Sequence, residues 1–292
     1  QGNNSMLPAT APVVLRINIH GPIGMENGVL SDDIIAQLQA SQKGIFKDGR
    51  VKAILLHMKT PGGTVTDSDN IYRALKAYKE KYQLPIYVYV DGLCASGGMY
   101  ISAAADRIYA PTVAIIGSIG VRFGPYFNFS KLMQRWGIES ETLTEGKGKD
   151  TFNSFREWKQ NEGATVREIA LAAYNHFVDI MVENRPKLDR HKLIHQYGAR
   201  VFSATPAQEA GYIDVADSSY EQAMQGLLQA ANIDGDKPYQ VVELRTKKPW
   251  LKEFLRGDFP ILRGKVEHHF VTPTKEPLLY MYQPSSSQLF ID

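Results

Sequence analysis

Two kinds of side chain in this sequence have the setting for nucleophilic catalysis: a serine on a sharp turn, and lysines in a glycine-flanked loop. The serine is Ser96, in DGLCASGGMY (91–100). It stands where a strand-like run, PIYVYVDG (85–92), passes into a helix-like run, GGMYISAAAD (97–106). Small residues there let a helix lie close to a sheet, which is one reading of the turn. The other is that the Ser96 hydroxyl is presented at a helix N-terminus, with the Gly97 amide aimed at any oxyanion that forms.

A hydroxyl needs a base to take its proton, most often histidine. The seven histidines are His20, His57, His176, His191, His195, His268 and His269, and no motif ties any of them to the Ser96 turn. His57 lies in the apolar run of a buried strand and reads as a core or rim residue. His191 and His195 have the i,i+4 spacing of a metal pair, but no acidic motif accompanies them, so they read as a solvated helix face. Lysine is the other candidate base. GKGKD (146–150) is a flexible loop that offers Lys147 and Lys149. A lysine in this role needs its pKa lowered from about 10.4 towards 7–8, by burial and by the absence of a carboxylate partner. The residues alone leave the choice between the two open, and they leave a Ser–His–Asp arrangement open too.

The elements that must position these groups alternate. APVVLRINIHGPI (11–23) reads as a strand, and LSDDIIAQLQASQKGIF (30–46) as a helix with Ser31 as N-cap. VKAILLHM (51–58) is a buried strand ending in KTPGGT (59–64), followed by an amphipathic helix over 67–83. After the Ser96 turn come strands at 107–110 and 114–121, a helix at 129–137 and a polar strand, ESETLTEG (139–146). A loop covers 146–163, a long helix 164–186, and shorter helices follow up to 219–232. Strand and helix at this spacing predict crossover units and a mainly parallel sheet. Binding sites in such sheets collect at the carboxyl ends of the strands, where TPGG and ASGG both fall.

The 292 residues are 43% hydrophobic and 22% charged, enough for a substantial core. A net charge of +2 with scattered basic residues gives no sign of nucleic acid as a partner. A single cysteine, Cys94, excludes an internal disulfide and a thiolate metal site. No apolar run reaches the roughly 20 residues that span a bilayer. The opening QGNNSMLPATAP lacks a basic start and an apolar core, so it does not read as a signal peptide. The expectation is an excised fragment, with a membrane anchor that could have preceded it. IDGDKP (233–238) is the boundary candidate, which divides the chain into 1–11, a domain over 12–235 and an extension over 236–292.

Taken together, TPGG, ASGGMYISAAADRIYA, GSIGV and KLMQRWGIESETLTEGKGKD resemble the signal peptide peptidase A family of Ser–Lys dyad serine proteases. The similarity runs on through FVDIMVENRP and GARVFSATPAQEAGYIDV, covering about 12–235 in order. It implies an α/β fold of the Clp protease/crotonase type. Position by position it makes Ser96 the nucleophile, Lys149 the general base and Ser118 the residue that orients the lysine, with Gly63 and Gly97 as oxyanion donors. Clp proteases carry a histidine where this chain reads IGSIGV. TPGG stands where the family usually shows SPGG.

The resemblance further implies degradation of short apolar peptides such as remnant signal peptides, with no metal or cofactor. It implies a homo-oligomer whose active sites are shared between protomers, at a bacterial membrane, with the catalytic domain outside the cytoplasm. A non-catalytic scaffold of the same fold and a crotonase-type acyl-CoA enzyme are the rival readings. The extension, with its strand-like EPLLYMYQP (276–284), is expected to dock on the core or on a neighbouring protomer.

Overall fold

The computed structural model describes residues 11–244 and the backbone of 279–281. In β1 (Val13–His20), Val13, Leu15, Ile17 and Ile19 face one side of a sheet and Val14 the other. That is the period-two pattern of a strand covered on both faces. α1 (Ser31–Ala40) crosses over to β2 (Val51–Thr60), which is buried along most of its length. β3 (Gly62–Thr64) is a three-residue strand that leads directly into α2 (Val65–Tyr82). β4 (Ile86–Ala95) returns to the sheet and passes through Ser96 into α3 (Gly97–Ser102).

The remaining elements are β5 (Arg107–Tyr109), β6 (Ile115–Gly117), α4 (Ser130–Arg135), α5 (Ala164–Asn184), and α6 (Arg190–Lys192), which runs into a wider turn over Leu193–Tyr197. β7 (Val201–Phe202), α7 (Ala204–Glu209), α8 (Tyr220–Ala230), β8 (Gln240–Glu243) and β9 (Leu279–Met281) complete the described chain.

The main sheet has the order β7-β6-β4-β2-β1-β8, with β5 beside β4. Every pairing in it is parallel except that of β6 with β7. This is the mainly parallel α/β architecture expected, of the Clp protease type. One face is covered by α1, α2, α3 and α5 through Ile34, Ile71, Met99 and Phe177. The other is covered by α8 through Ala223, Met224, Leu227 and Leu228. Each of these side chains larger than alanine, fully buried, contributes about 1.5–3 kcal/mol.

Three local expectations give way. ESETLTEG forms no strand: 139–145 is exposed coil with no ladder partner among the described residues. The first helix ends at Ala40, and a separate 3-10 turn covers Gly44–Phe46. Ser31 is not the N-cap. Leu30 holds that position without a side-chain cap, and the Ser31 amide donates instead to Asp67 Oδ1 at 2.9 Å. A carboxylate from α2 thus does from outside the work expected of the local hydroxyl.

Candidate active site

The carboxyl ends of β2 and β4 lie side by side, with Thr60 paired to Cys94. Both glycine motifs are therefore brought to one place. Ser96 follows β4 directly, with φ 53° and ψ −115°, a conformation costly for any residue but glycine. The turn is fixed by its neighbours: the Ser96 amide donates to the Gly117 carbonyl at 2.8 Å, and its carbonyl accepts from Tyr100 at 3.1 Å. Ser96 is only 1% exposed, yet its Oγ has no hydrogen-bond partner among the described residues. A buried hydroxyl normally has one, and going without costs about 1–3 kcal/mol.

The second glycine after the serine has a packing reason. A Cβ at Gly98 would stand 2.7 Å from Thr60 Cγ2 and 3.3 Å from Cys94 Sγ, so only glycine lets α3 lie this close to β2 and β4. Gly97, buried at the start of α3, has an amide with no acceptor four residues back. Cys94 is two residues from Ser96 but does not compete as a nucleophile. Burial pushes its thiol up to about 12, and it lies 3.4 Å from Ser102 Oγ.

Gly63 approaches from β3. On one side it bridges Ile23, whose amide donates to the Gly62 carbonyl at 2.9 Å and whose carbonyl accepts from Thr64 at 3.0 Å. A Cβ on Gly63 would overlap the Ile23 carbonyl, so the position requires glycine. Asp67 locks this corner. Its Oδ2 accepts from Thr64 Oγ1 at 2.7 Å while its Oδ1 holds the start of α1. Ile23 and Asp67 are absent from any reading of the motifs alone. The TPGGT run followed by an acid in the first turn of a helix is the one local signal for Asp67.

Ser118 follows Gly117, has φ 56° and is 7% exposed, and its amide donates to the Arg200 carbonyl at 2.8 Å. The structure therefore gathers Ser96, Gly97, Gly63 and Ser118 at one end of the sheet.

Lys149 is not joined to them. It lies on an exposed turn where its amide donates to the Gly146 carbonyl at 3.2 Å. Its Nζ has no hydrogen bond or ion pair among the described residues. The loop carrying it is anchored by Arg156, which donates to Asp150 Oδ2 at 2.6 Å and to both oxygens of Glu162 at 2.8 Å. Those bonds, with backbone donation from Phe152 and Lys159, hold the Glu162 carboxyl down at about 2. Asp150 is also lowered, first by its bond from Arg156. The acid next to Lys149 in sequence is thus engaged elsewhere.

No described histidine is hydrogen-bonded to Ser96 Oγ, and His268 and His269 lie outside the described residues. His57 is on the α8 side of the sheet, where its Nδ1 and His20 Nε2 are 2.7 Å apart and Tyr89 and Tyr220 pack around its ring. Burial, then the Arg16 charge, lowers it to about 4. The His191 and His195 rings lie 4.6 Å apart at a 45° tilt, and no group of three or more potential metal ligands occurs among the described residues.

The sequence pattern of Peptidase family S49 matches residues 78–234, which is more than half of the chain and carries Ser96, Ser118 and Lys149. The chain belongs to peptidase family S49. The Clp protease pattern matches 15–116, from β1 through the Ser96 turn to β6. Among S49-type relatives, a putative protease (slr0021) of Synechocystis sp. is 30% identical over 73% of this chain and 74% of its own. A putative signal peptide peptidase SppA of Enterococcus faecium is 31% identical over 59% of this chain and 49% of its own. A putative protease (MJ0651) of Methanocaldococcus jannaschii is 34% identical over 64% and 58%. The chain spans about half the length of the last two.

Proposed function

We propose that the chain is a serine endopeptidase that works through a Ser96–Lys149 dyad and an acyl-enzyme. The observation that carries this reading is the buried Ser96 Oγ, left without a partner on a strained turn beside Gly97, Gly63 and Ser118. Ser96 Oγ attacks the peptide carbonyl carbon as Lys149 Nζ takes its proton. The resulting oxyanion is held by the Gly63 and Gly97 amides. Collapse breaks the C–N bond, and the lysine returns the proton to the leaving amine. Water, activated by the same amine, then releases the acyl group from Ser96. Ser118 Oγ hydrogen-bonds the lysine amine and fixes its direction.

The lysine is supplied by a neighbouring protomer. Supporting this, Lys149 sits on an exposed turn, and the surrounding segment leaves Phe127, Leu132, Trp136, Ile138 and Leu143 open, with Trp136 at 74% and Leu143 at 89% exposure. Apolar side chains exposed in such number mark an interface. Packing against a second copy would also take the lysine out of water, which favours its neutral, basic form. The catalytic domain is 12–235, and the extension over 236–292 begins by adding β8 to that domain's sheet beside β1.

The substrates are short apolar peptides bound in extended form, remnant signal peptides among them, as the name of the Enterococcus relative suggests. Such remnants reside in membranes, and we place the protein at a bacterial membrane with this domain outside the cytoplasm. No helix among the described residues is long and apolar enough to cross a bilayer itself.

The test is a pH–rate profile of peptide hydrolysis for wild type, Ser96→Ala and Lys149→Ala, followed by mixing of the two variants. Both should be inactive alone, wild type should show a base with a pKa well below free lysine, and mixed assemblies should regain activity. A Lys149→Ala variant that keeps most of the rate overturns the dyad. Inactive mixtures that nonetheless co-assemble overturn the shared site.

A further inference from the structure

We propose that the outer edge of β3 is a strand-binding surface, and that the chain's own C-terminal segment occupies it where an extended substrate would lie. The inference rests on the assignment of Gly63 given above. β3 has two edges, and the inner one is taken by Ile23. The bonds there use the Gly62 carbonyl and the Thr64 amide. Because backbone groups alternate in direction along a strand, the N–H and C=O of Gly63 itself face the outer edge.

That outer edge is where β9 runs. It is antiparallel to β3, with Leu279 opposite Thr64, Tyr280 opposite Gly63 and Met281 opposite Gly62. Since Gly63 turns its groups towards β9, Gly63 and Tyr280 form the pair that exchanges both N–H···O bonds of the ladder. The amide assigned to the oxyanion is therefore met by a peptide carbonyl. β9 also lies against α2 and against α3, the helix that starts at Gly97. An extended peptide backbone thus passes through the corner formed by Gly63 and α3, in the manner of strand addition to a sheet edge.

The occupant has the chemistry of the proposed substrate. Leu279, Tyr280 and Met281 carry no charge and are apolar or aromatic. A three-residue, two-stranded ladder is marginal by itself, so this pairing is exchangeable. Being tethered, the segment competes at a high effective concentration with peptides from solution. The edge therefore receives its ligand antiparallel to residues 62–64, and a free peptide must first displace the chain's own.

The test uses the full chain. Tyr280→Pro removes the N–H that faces the Gly63 carbonyl and so weakens this pairing at one atom. In a Ser96→Ala background, which performs no chemistry, binding of a fluorescent EPLLYMYQP peptide is followed by anisotropy. Adding Tyr280→Pro should tighten binding at least about tenfold, and Tyr280→Pro with Ser96 intact should hydrolyse dilute peptide faster than wild type. Equal peptide affinity with and without Tyr280→Pro, or no binding to either, overturns the inference. Tightened binding without any Ser96-dependent hydrolysis would strike the protease reading and leave the strand-binding edge standing. Unchanged binding with Ser96-dependent hydrolysis would do the reverse.

Discussion

The Ser96 amide and the Gly117 carbonyl are joined at 2.8 Å, so the turn that presents Ser96 is fastened to the turn that presents Ser118. The register agrees, with Ala95 opposite Gly117. Both serines have positive φ, at 53° and 56°. A pair of strained turns joined by one backbone bond holds the two serines in fixed relation to one another.

Ser118→Ala should therefore lower kcat by about 10²-fold, the scale of a misplaced catalytic group, with little change in KM. The apparent pKa of the base in the pH–rate profile should move as well. A drop in rate with an unchanged profile would make Ser118 a packing residue only.

Gly63→Ala places a methyl group against the Ile23 carbonyl. Relief requires the β3 backbone to shift, which should cost about 1–3 kcal/mol in a denaturant melt. The displaced amide should cost roughly 10²–10³ in kcat. Full rate at reduced stability would show that Gly63 is needed for packing and not for the oxyanion.

The loop that carries Lys149 should loosen in acid through Glu162. Its folded pKa of about 2 lies below the ordinary value, so its contribution is complete above the ordinary range of about 4.3 and is lost as pH falls towards 2. Trp158, which donates to the Asn153 carbonyl at 2.9 Å and stands edge-on to Phe152, reports on this loop. Its fluorescence, taken as the difference from Trp158→Phe, should change between about pH 4 and pH 2. In Arg156→Ala the change should move to higher pH.

His57 gives a second pH dependence on the other face of the sheet. Its folded pKa of about 4 is below its unfolded value near 6.5, so as pH falls the unfolded chain takes up the proton first. Stability from the neutral ring is whole above about 6.5 and declines towards pH 4. Arg16 and His20 oppose the charge while Asp91 and Glu243 favour it. Thermal midpoints should fall between pH 7 and pH 5, and His57→Phe, which keeps a ring among Tyr89 and Tyr220, should flatten that fall.

The parallel sheet and the place of both glycine motifs were legible because alternation and glycine act locally: crossover spacing predicts parallel strands, and their carboxyl ends locate TPGG and ASGG. Lys149 could be singled out from Lys147 only through family resemblance, since nothing in GKGKD distinguishes two lysines around one glycine. ESETLTEG has strand-like spacing, but spacing cannot supply a neighbouring strand, and none is there. Ser31 has a good capping side chain. The Asp67 carboxylate that reaches the start of α1 comes from far along the chain and is invisible to a local pattern. Ile23 beside Gly63, and Arg156 beneath the lysine loop, are long-range partners of the same kind.

Gly117 and Ser118 take their backbone partners from β7 and Arg200, the antiparallel edge of an otherwise parallel sheet. That edge is encoded far downstream of the serines it steadies. As the chain leaves the ribosome, Ser96 and Ser118 emerge well before the segment that sets the second turn. On the proposed reading, the emerging chain therefore carries Ser96 before the turn of Ser118 is framed, which waits until residues 200–202 have joined the sheet.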